Sequence, residues 1–230
     1  MDIAANLAHI RTEIATACAR CGRDPATVRL IAVSKTHPAS AVAVACAAGQ
    51  ILFGESYVQE FLAKAEAVKL PVGWHFIGHL QSNKVRHLPG KVALIHSVDR
   101  FSLAEEISRQ WGMHGLQAEI LIEVNLGGEA SKSGVSEAEL APLLRRVATL
   151  PHLAVRGLMT LPPYLDDPEA VRPYFRRLRE LAHRMDTLAL PGVSLGELSM
   201  GMSHDFTLAI EEGATLVRIG TAIFGERAGR

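Results

Sequence analysis

The sequence predicts an α/β chain folded as one closed (β/α)8 barrel of the TIM-like kind, with an extra helix at its N-terminal end. Three observations carry that expectation. Short apolar runs alternate with helical patterns along the whole chain, and strands that alternate with helices imply a parallel sheet. Eight such strand-then-helix units occur, joined by connections too short to separate domains. No glycine-rich phosphate turn follows the first apolar run, although the main competitor, an open doubly wound sheet, normally carries one there. Eight units in 230 residues sit at the small end of the barrel range, so one domain over residues 1–230 is expected.

The elements follow in order. Ile3, Leu7, Ile10 and Ile14 recur at helical spacing, and Gly22 ends the helix they define. The apolar run Leu30-Ile31-Ala32-Val33 opens the first strand, residues 30–34, and Pro38 opens a helix over 39–48. Strands are then expected at 51–54, 74–78, 92–97, 118–125, 154–160, 194–200 and 215–219. Helical patterns fill the intervals at 57–68, 81–88, 101–110, 137–149, 168–188 and 206–212, with a last short helix over 222–226. The stretch 162–168, with three prolines and two aspartates, reads as a flexible loop at the barrel rim.

Composition narrows the function. The chain is 48% hydrophobic, enough for a large core, and its 24 basic residues balance 24 acidic ones. That balance lacks the electrostatic footprint of a nucleic-acid or membrane-surface binder. Aromatics at 5% argue against base-stacking platforms. No apolar run approaches the roughly 18 residues that span a bilayer, and residues 1–11 carry no signal-peptide core. Cys18 and Cys21 form a CxxC inside a helical pattern with no second pair, and Cys46 stands alone. They read as reduced thiols of a cytoplasmic protein.

In a barrel of this kind, reactive groups collect at the carboxyl ends of the strands. Lys35 ends the first strand. Desolvation there disfavours its charged form, and a neutral amine can form a Schiff base with an aldehyde; a strand-end lysine reaching for solvent is the alternative. Ser199-Met200-Gly201-Met202-Ser203 follows the seventh strand and Gly220-Thr221 the eighth. Barrels often bind phosphate between those two loops, where Gly201 and Gly220 let backbone N–H groups approach an anion and the hydroxyls add donors. Turn glycines with capping hydroxyls are the alternative. An amine and a phosphate cradle facing one cavity suit a phosphorylated aldehyde, and pyridoxal 5′-phosphate (PLP) is the obvious one. Arg218 in the eighth strand would face the pyridine nitrogen as a permanent donor and leave the ring a weak electron sink; an arginine paired with a carboxylate at the barrel mouth is the alternative. His75, within the third strand, is expected to line the cavity or to be a hydrogen-bonded core residue. Met159, Met200 and Met202 could pack against a planar ring or fill the core.

Several motifs together resemble one family: Val33-Ser34-Lys35-Thr36, Phe53-Gly54-Glu55-Ser56-Tyr57-Val58-Gln59-Glu60, the run from Trp74 to Lys84, Ser131-Lys132-Ser133-Gly134, Arg156-Gly157-Leu158-Met159-Thr160, Leu198-Ser199-Met200-Gly201-Met202-Ser203 and the run from Val217 to Gly225. Their order over residues 28–226 is similar to that of the pyridoxal phosphate homeostasis proteins, the YggS/PROSC family. The resemblance implies a PLP-binding barrel like the N-terminal domain of alanine racemase without that enzyme's β domain. It implies a Schiff base on Lys35, phosphate contacts at Ser199, Gly220 and Thr221, and a pyridine contact at Arg218. It further implies a role in PLP homeostasis without a defined reaction. One position departs from the family's usual Gly-Glu-Asn-Tyr: Ser56 stands where the asparagine lies near the ring, and a shorter hydroxyl replaces a fixed amide.

Two other classes compete. A PLP-dependent racemase needs a proton donor on each face of the substrate; Lys35 serves one, but Tyr57, Tyr164 and Tyr174 sit at no obvious strand end. A metal-dependent hydrolase would need converging acids and histidines, and His75 and His79 are separated by strand and turn rather than by a helical turn. Lys132 could accept a second aldehyde or simply be solvated. The expected partners are PLP and PLP-dependent apoenzymes, with no nucleic acid and no membrane, and the expected state is a monomer.

Overall fold

The computed structural model describes residues 2–129 and 132–226. Its strands are β1 (Arg29–Val33), β2 (Leu52–Glu55), β3 (Gly73–Phe76), β4 (Leu94–Val98), β5 (Ala118–Glu123), β6 (Leu153–Met159), β7 (Val193–Ser199) and β8 (Leu216–Ile219). They pair in parallel in sequence order, and β8 returns to β1 from Arg29↔Leu216 to Ala32↔Ile219, which closes the barrel. Around it lie α1 (Ile3–Arg20), α2 (Ala39–Ala47), α3 (Val58–Ala67), α4 (Phe101–Met113), α5 (Glu137–Val147), α6 (Arg172–Asp186), α7 (Phe206–Glu211) and α8 (Thr221–Phe224). The predicted fold class is the observed one.

Successive strand residues point to opposite faces, and that period sorts the core. Leu30, Ala32, Phe53, Trp74 and Phe76 point outward and pack with the helices in the main core. Ile31, Leu94, Leu121, Met159 and Leu216 point inward and plug the barrel in a separate cluster, with Leu52 against it. Higher along the strands the interior turns polar, with His75, His96, Ser199 and Arg218 all buried. The same period carries β1 from Ile31 through Val33 to Lys35 on the inner face, and β8 from Leu216 through Arg218 to Gly220.

The extra helix α1 closes the helical ring. The Asp2 carboxylate accepts the Ala5 N–H at 3.0 Å and caps it. It packs on α2, α7 and α8, and Asn6 Nδ2 donates to the Ile223 carbonyl at 2.9 Å. The unit after β8 has only the four-residue α8 to cover it, so α1 supplies the missing layer.

Three helices differ from expectation. Residues 81–88 form a 3₁₀ segment, Ser82–His87, because Pro89 and Gly90 end it before an α-helical ladder develops. The predicted helix 168–188 starts with a 3₁₀ turn, Pro168–Val171, before α6. Pro173 has no N–H to bond the preceding turn, so the ladder restarts there. The last helix is Thr221–Phe224 rather than 222–226, since Gly225 leaves helical space at φ 84°. Strand bounds shift by one or two residues.

Candidate functional site

A cavity of about 270 Å³ opens at the carboxyl ends of the strands. β1 contributes Val33 and the following Lys35; the loops after β2 and β3 contribute Ser56 and Ile77. The loop after β6 brings Leu161 and Tyr164, and the loop after β7 brings Met202, Ser203 and His204. Arg218 of β8 and the Gly220-Thr221 turn complete the wall. The lining holds two side-chain cations and no carboxylate, so the cavity favours an anion.

Five of the nine residues singled out from sequence line this cavity: Lys35, Ser56, Arg218, Gly220 and Thr221. A Cβ on Gly220 would lie 3.2 Å from the Val33 carbonyl, so the bare backbone suits the close passage of this turn past β1. The other four lie elsewhere. Met200 is fully buried in the outer core, because its neighbour Ser199 faces inward. Gly201 is a structural turn at φ 90°, and a Cβ there would meet the Ala209 side chain at 2.6 Å. Ser199 and His75 face inward but sit one layer down. His75 is thus the hydrogen-bonded core residue, and Met200 the core filler, of their two expected readings, and the loop after β7 presents Met202, Ser203 and His204 to the cavity.

That lower layer is a continuous buried chain. His75 Nδ1 meets His96 Nε2 at 2.9 Å, and His96 Nδ1 meets Ser199 Oγ at 2.8 Å. Arg218 Nη1 donates to Ser199 Oγ at 2.5 Å and Nη2 to the Thr160 carbonyl at 3.0 Å. Burial pushes His75 down to about 4, with the Arg29 charge adding to it, and pushes His96 well below its usual range. Both imidazoles are neutral at physiological pH. Burial also lowers Arg218 to about 10, against the pull of Asp205 and Glu123, so its charge survives at neutral pH. Burial raises Glu123 to about 7, with Asp99 adding and Arg218 opposing, and raises Asp205. Ser199 thus holds Arg218 in place.

The segment that carries Lys35 is anchored from outside the barrel. Lys64 of α3, its side chain only 6% exposed, donates to Glu55 Oε1 at 2.7 Å, to Glu60 Oε1 at 2.7 Å and to the Ser34 carbonyl at 2.6 Å. Ser34 Oγ donates to the same Glu55 oxygen at 2.6 Å. Burial pushes the Glu55 carboxyl up, while Lys64 and Ser34 hold it down. Glu60 Oε1 accepts the Thr36 N–H at 2.5 Å, and Thr36 stands at φ 69°.

Loop residues were beyond the reach of strand periodicity. Tyr164 lines the cavity rim and stacks against His204 with ring centroids 4.9 Å apart. No strand end carries Tyr164, as expected, but the loop after β6 brings it to the cavity rim. His204 Nε2 lies 3.2 Å from Asp205 Oδ2, and Asp205 Oδ1 accepts the Met202 N–H at 2.6 Å, which shapes the loop. Lys132 Nζ donates to the Pro162 carbonyl at 3.1 Å and pairs with Glu129 at 2.5 Å, so it braces two rim loops. Ser131 of its motif lies outside the described residues. His79 Nδ1 lies 3.1 Å from Ser133 Oγ. Among the described residues no three metal-ligating side chains converge, and no helix is long and apolar enough to cross a membrane.

Comparison with known proteins agrees with this geometry. The family described as alanine racemase, N-terminal domain, matches residues 5–228. A pyridoxal phosphate homeostasis protein of Aquifex aeolicus is 50% identical over 228 residues, which covers 99% of this chain and 99% of its own length. One from Pseudomonas aeruginosa is 47% identical over 226 residues, covering 98% of this chain and 96% of its own. The structure of PipY of Synechococcus elongatus with PLP bound superposes with a TM-score of 0.86 at 38% identity, covering 97% of this chain and 100% of that one.

Proposed function

The chain belongs to the alanine racemase N-terminal-domain family and, within it, to the pyridoxal phosphate homeostasis proteins; from that premise we propose that it holds PLP reversibly as a Schiff base on Lys35. One observation carries the reading. The strand-end amine Lys35 shares an acid-free cavity with a buried arginine and the hydroxyls of Ser203 and Thr221. The donor set fits the group: an amine for an aldehyde, hydroxyls and a bare glycine turn for a phosphate, and a guanidinium for a ring nitrogen.

When bound, PLP supplies an aldehyde and a ring able to take up electron density. Lys35 would provide the amine for the aldehyde. Ser203, Gly220 and Thr221 would hold the phosphate end. Arg218, fixed by Ser199 and Thr160, would serve the pyridine nitrogen as a donor that stays charged and so would leave the ring a weak sink. Leu161, Ile77 and Met202 supply apolar lining for the ring, and Ser56 adds one hydroxyl to the same wall. The recipients in this reading are PLP-dependent apoenzymes, and the protein works as a cytoplasmic monomer; its three free cysteines suit a reducing compartment.

Purified protein mixed with PLP should show the absorbance of a protonated imine, and borohydride followed by peptide mapping should place the label on Lys35. A label on another lysine, or none, overturns the reading. Tyr164 at the rim is the observation that favours a racemase-like second reading; loss of amino-acid chirality at rates well above free PLP would support it.

A further inference from the structure

We infer that buried Lys64 is a positioning residue for Lys35: through Glu60 it holds Thr36 in a left-handed backbone conformation that aims the Lys35 amine into the cavity. The inference rests on the reading that Lys35 carries the ligand.

Thr36 is at φ 69°. A β-branched residue has no intrinsic reason to be there, and such a conformation persists only where its surroundings enforce it. Three contacts enforce it. The Thr36 N–H is held by Glu60 Oε1 at 2.5 Å, and the Thr36 hydroxyl donates to the Lys35 carbonyl at 2.6 Å. The His37 N–H closes the turn on the Ser34 carbonyl at 3.0 Å. Lys64 then grips both flanks of Lys35. One of its donors goes to the Ser34 carbonyl, before Lys35, and another to Glu60, which holds Thr36, after Lys35. The third goes to Glu55 at the end of β2. An ammonium has three donors, and all three are committed.

Ser34 and Thr36 flank Lys35: the buried Ser34 hydroxyl bonds Glu55 of β2 and the Thr36 N–H bonds Glu60 of α3, while Lys35 lines the cavity. Fixing the two flanks therefore fixes the direction of the residue between them. Lys64 itself lines no cavity wall, so its part is indirect. A merely structural ion pair would stabilise the fold without caring about the conformation of Thr36. Glycine adopts positive φ readily, and this separates the two roles.

The test compares wild type, Lys64→Met, Glu60→Ala, and Glu60→Ala combined with Thr36→Gly. Imine formation is titrated with PLP and trapped with borohydride, the amide shift of Thr36 is followed by NMR without PLP, and thermal melts report folding. Glu60→Ala and Lys64→Met should weaken imine formation by about tenfold or more, and the Thr36 amide of Glu60→Ala should lose the downfield shift of a short bond to a carboxylate. The Glu60→Ala, Thr36→Gly double variant should recover most of the imine while its melting temperature stays that of Glu60→Ala. Imine formation unchanged in Glu60→Ala, or no recovery in the double variant, overturns the inference. Glu60 is partly exposed, so its variant keeps the test decisive if Lys64→Met fails to fold. A wild-type label on another lysine instead sinks the proposed function, and this inference with it.

Discussion

Glu123 should make the protein less stable as pH rises through neutrality, and its amide should remove that loss. The carboxyl ends β5, is 5% exposed, and burial holds it at about 7 against an ordinary 4.5. At about 1.4 kcal/mol per pH unit, the difference corresponds to about 3 kcal/mol. The folded value lies above the unfolded one, so the folded chain binds the extra proton between 4.5 and about 7. Stability is therefore full below that window and falls as pH rises through it. His75 and His96 act in the opposite sense, since their folded values are depressed and stability is lost as pH drops below their ordinary 6.5. Those terms are common to wild type and variant and cancel in the difference. Relative to wild type, Glu123→Gln should gain about 2–3 kcal/mol between pH 5 and pH 8, or about 4–12 °C in melting temperature for a chain of this size. Paired thermal melts at the two pH values measure it. A difference that does not grow with pH, or a variant less stable than wild type at pH 8, would refute the reasoning.

Two further outcomes follow from packing. Gly157→Ala places a Cβ 1.8 Å from the Glu197 carbonyl across the β6–β7 seam; backbone must move, and denaturant unfolding should show a loss of about 1–3 kcal/mol or more, whereas wild-type stability would mean the seam yields freely. Tyr164→Ala, at a side chain 73% exposed, should change stability by no more than about 0.5 kcal/mol yet speed the transfer of bound PLP to an apoenzyme; equal transfer rates would remove Tyr164 from the rim's function.

The period of two made half of the site readable. Once Ile31 and Leu216 are known to face the barrel axis, Val33, Lys35, Arg218 and Gly220 follow by counting. The same count would have sent Met200 outward, since Ser199 faces in. Depth was harder. His75 and Ser199 have the right parity, but strand tilt in a closed barrel decides which layer is floor and which is wall, and their hydrogen bonds to His96 and Arg218 put them below the wall. Tyr164, Ser203 and His204 come from loops, which have no period to count. Lys64 was invisible for another reason. On a helix followed by alternating small and charged residues it reads as a solvated lysine, and only the neighbouring ends of β1 and β2 reveal that it is buried. Helix breaks were missed even where the residues mark them: the helical pattern runs unbroken over 168–188 and 222–226, whereas the ladder restarts at Pro173 and the last helix stops before Gly225.

The electrostatics of the inner barrel suit the site to holding an anionic ligand. Arg218 is buried, yet its hydrogen bonds go to a serine hydroxyl and a backbone carbonyl rather than to a carboxylate. One of the acids that attract it, Glu123, is itself held at about 7 by burial, so it compensates Arg218 only in part. A buried cation with neutral partners is costly unless something negative or electron-rich lies against it. The cavity above Arg218 has no carboxylate of its own, which leaves that role to the occupant. An anionic, acceptor-bearing ring therefore offsets part of the cost of burying Arg218, and that free energy goes into the bound ground state. Rate acceleration requires interactions that are stronger in the transition state than in the ground state. The cations and hydroxyls of the lining are in place before the ligand arrives, so their grip is a ground-state interaction.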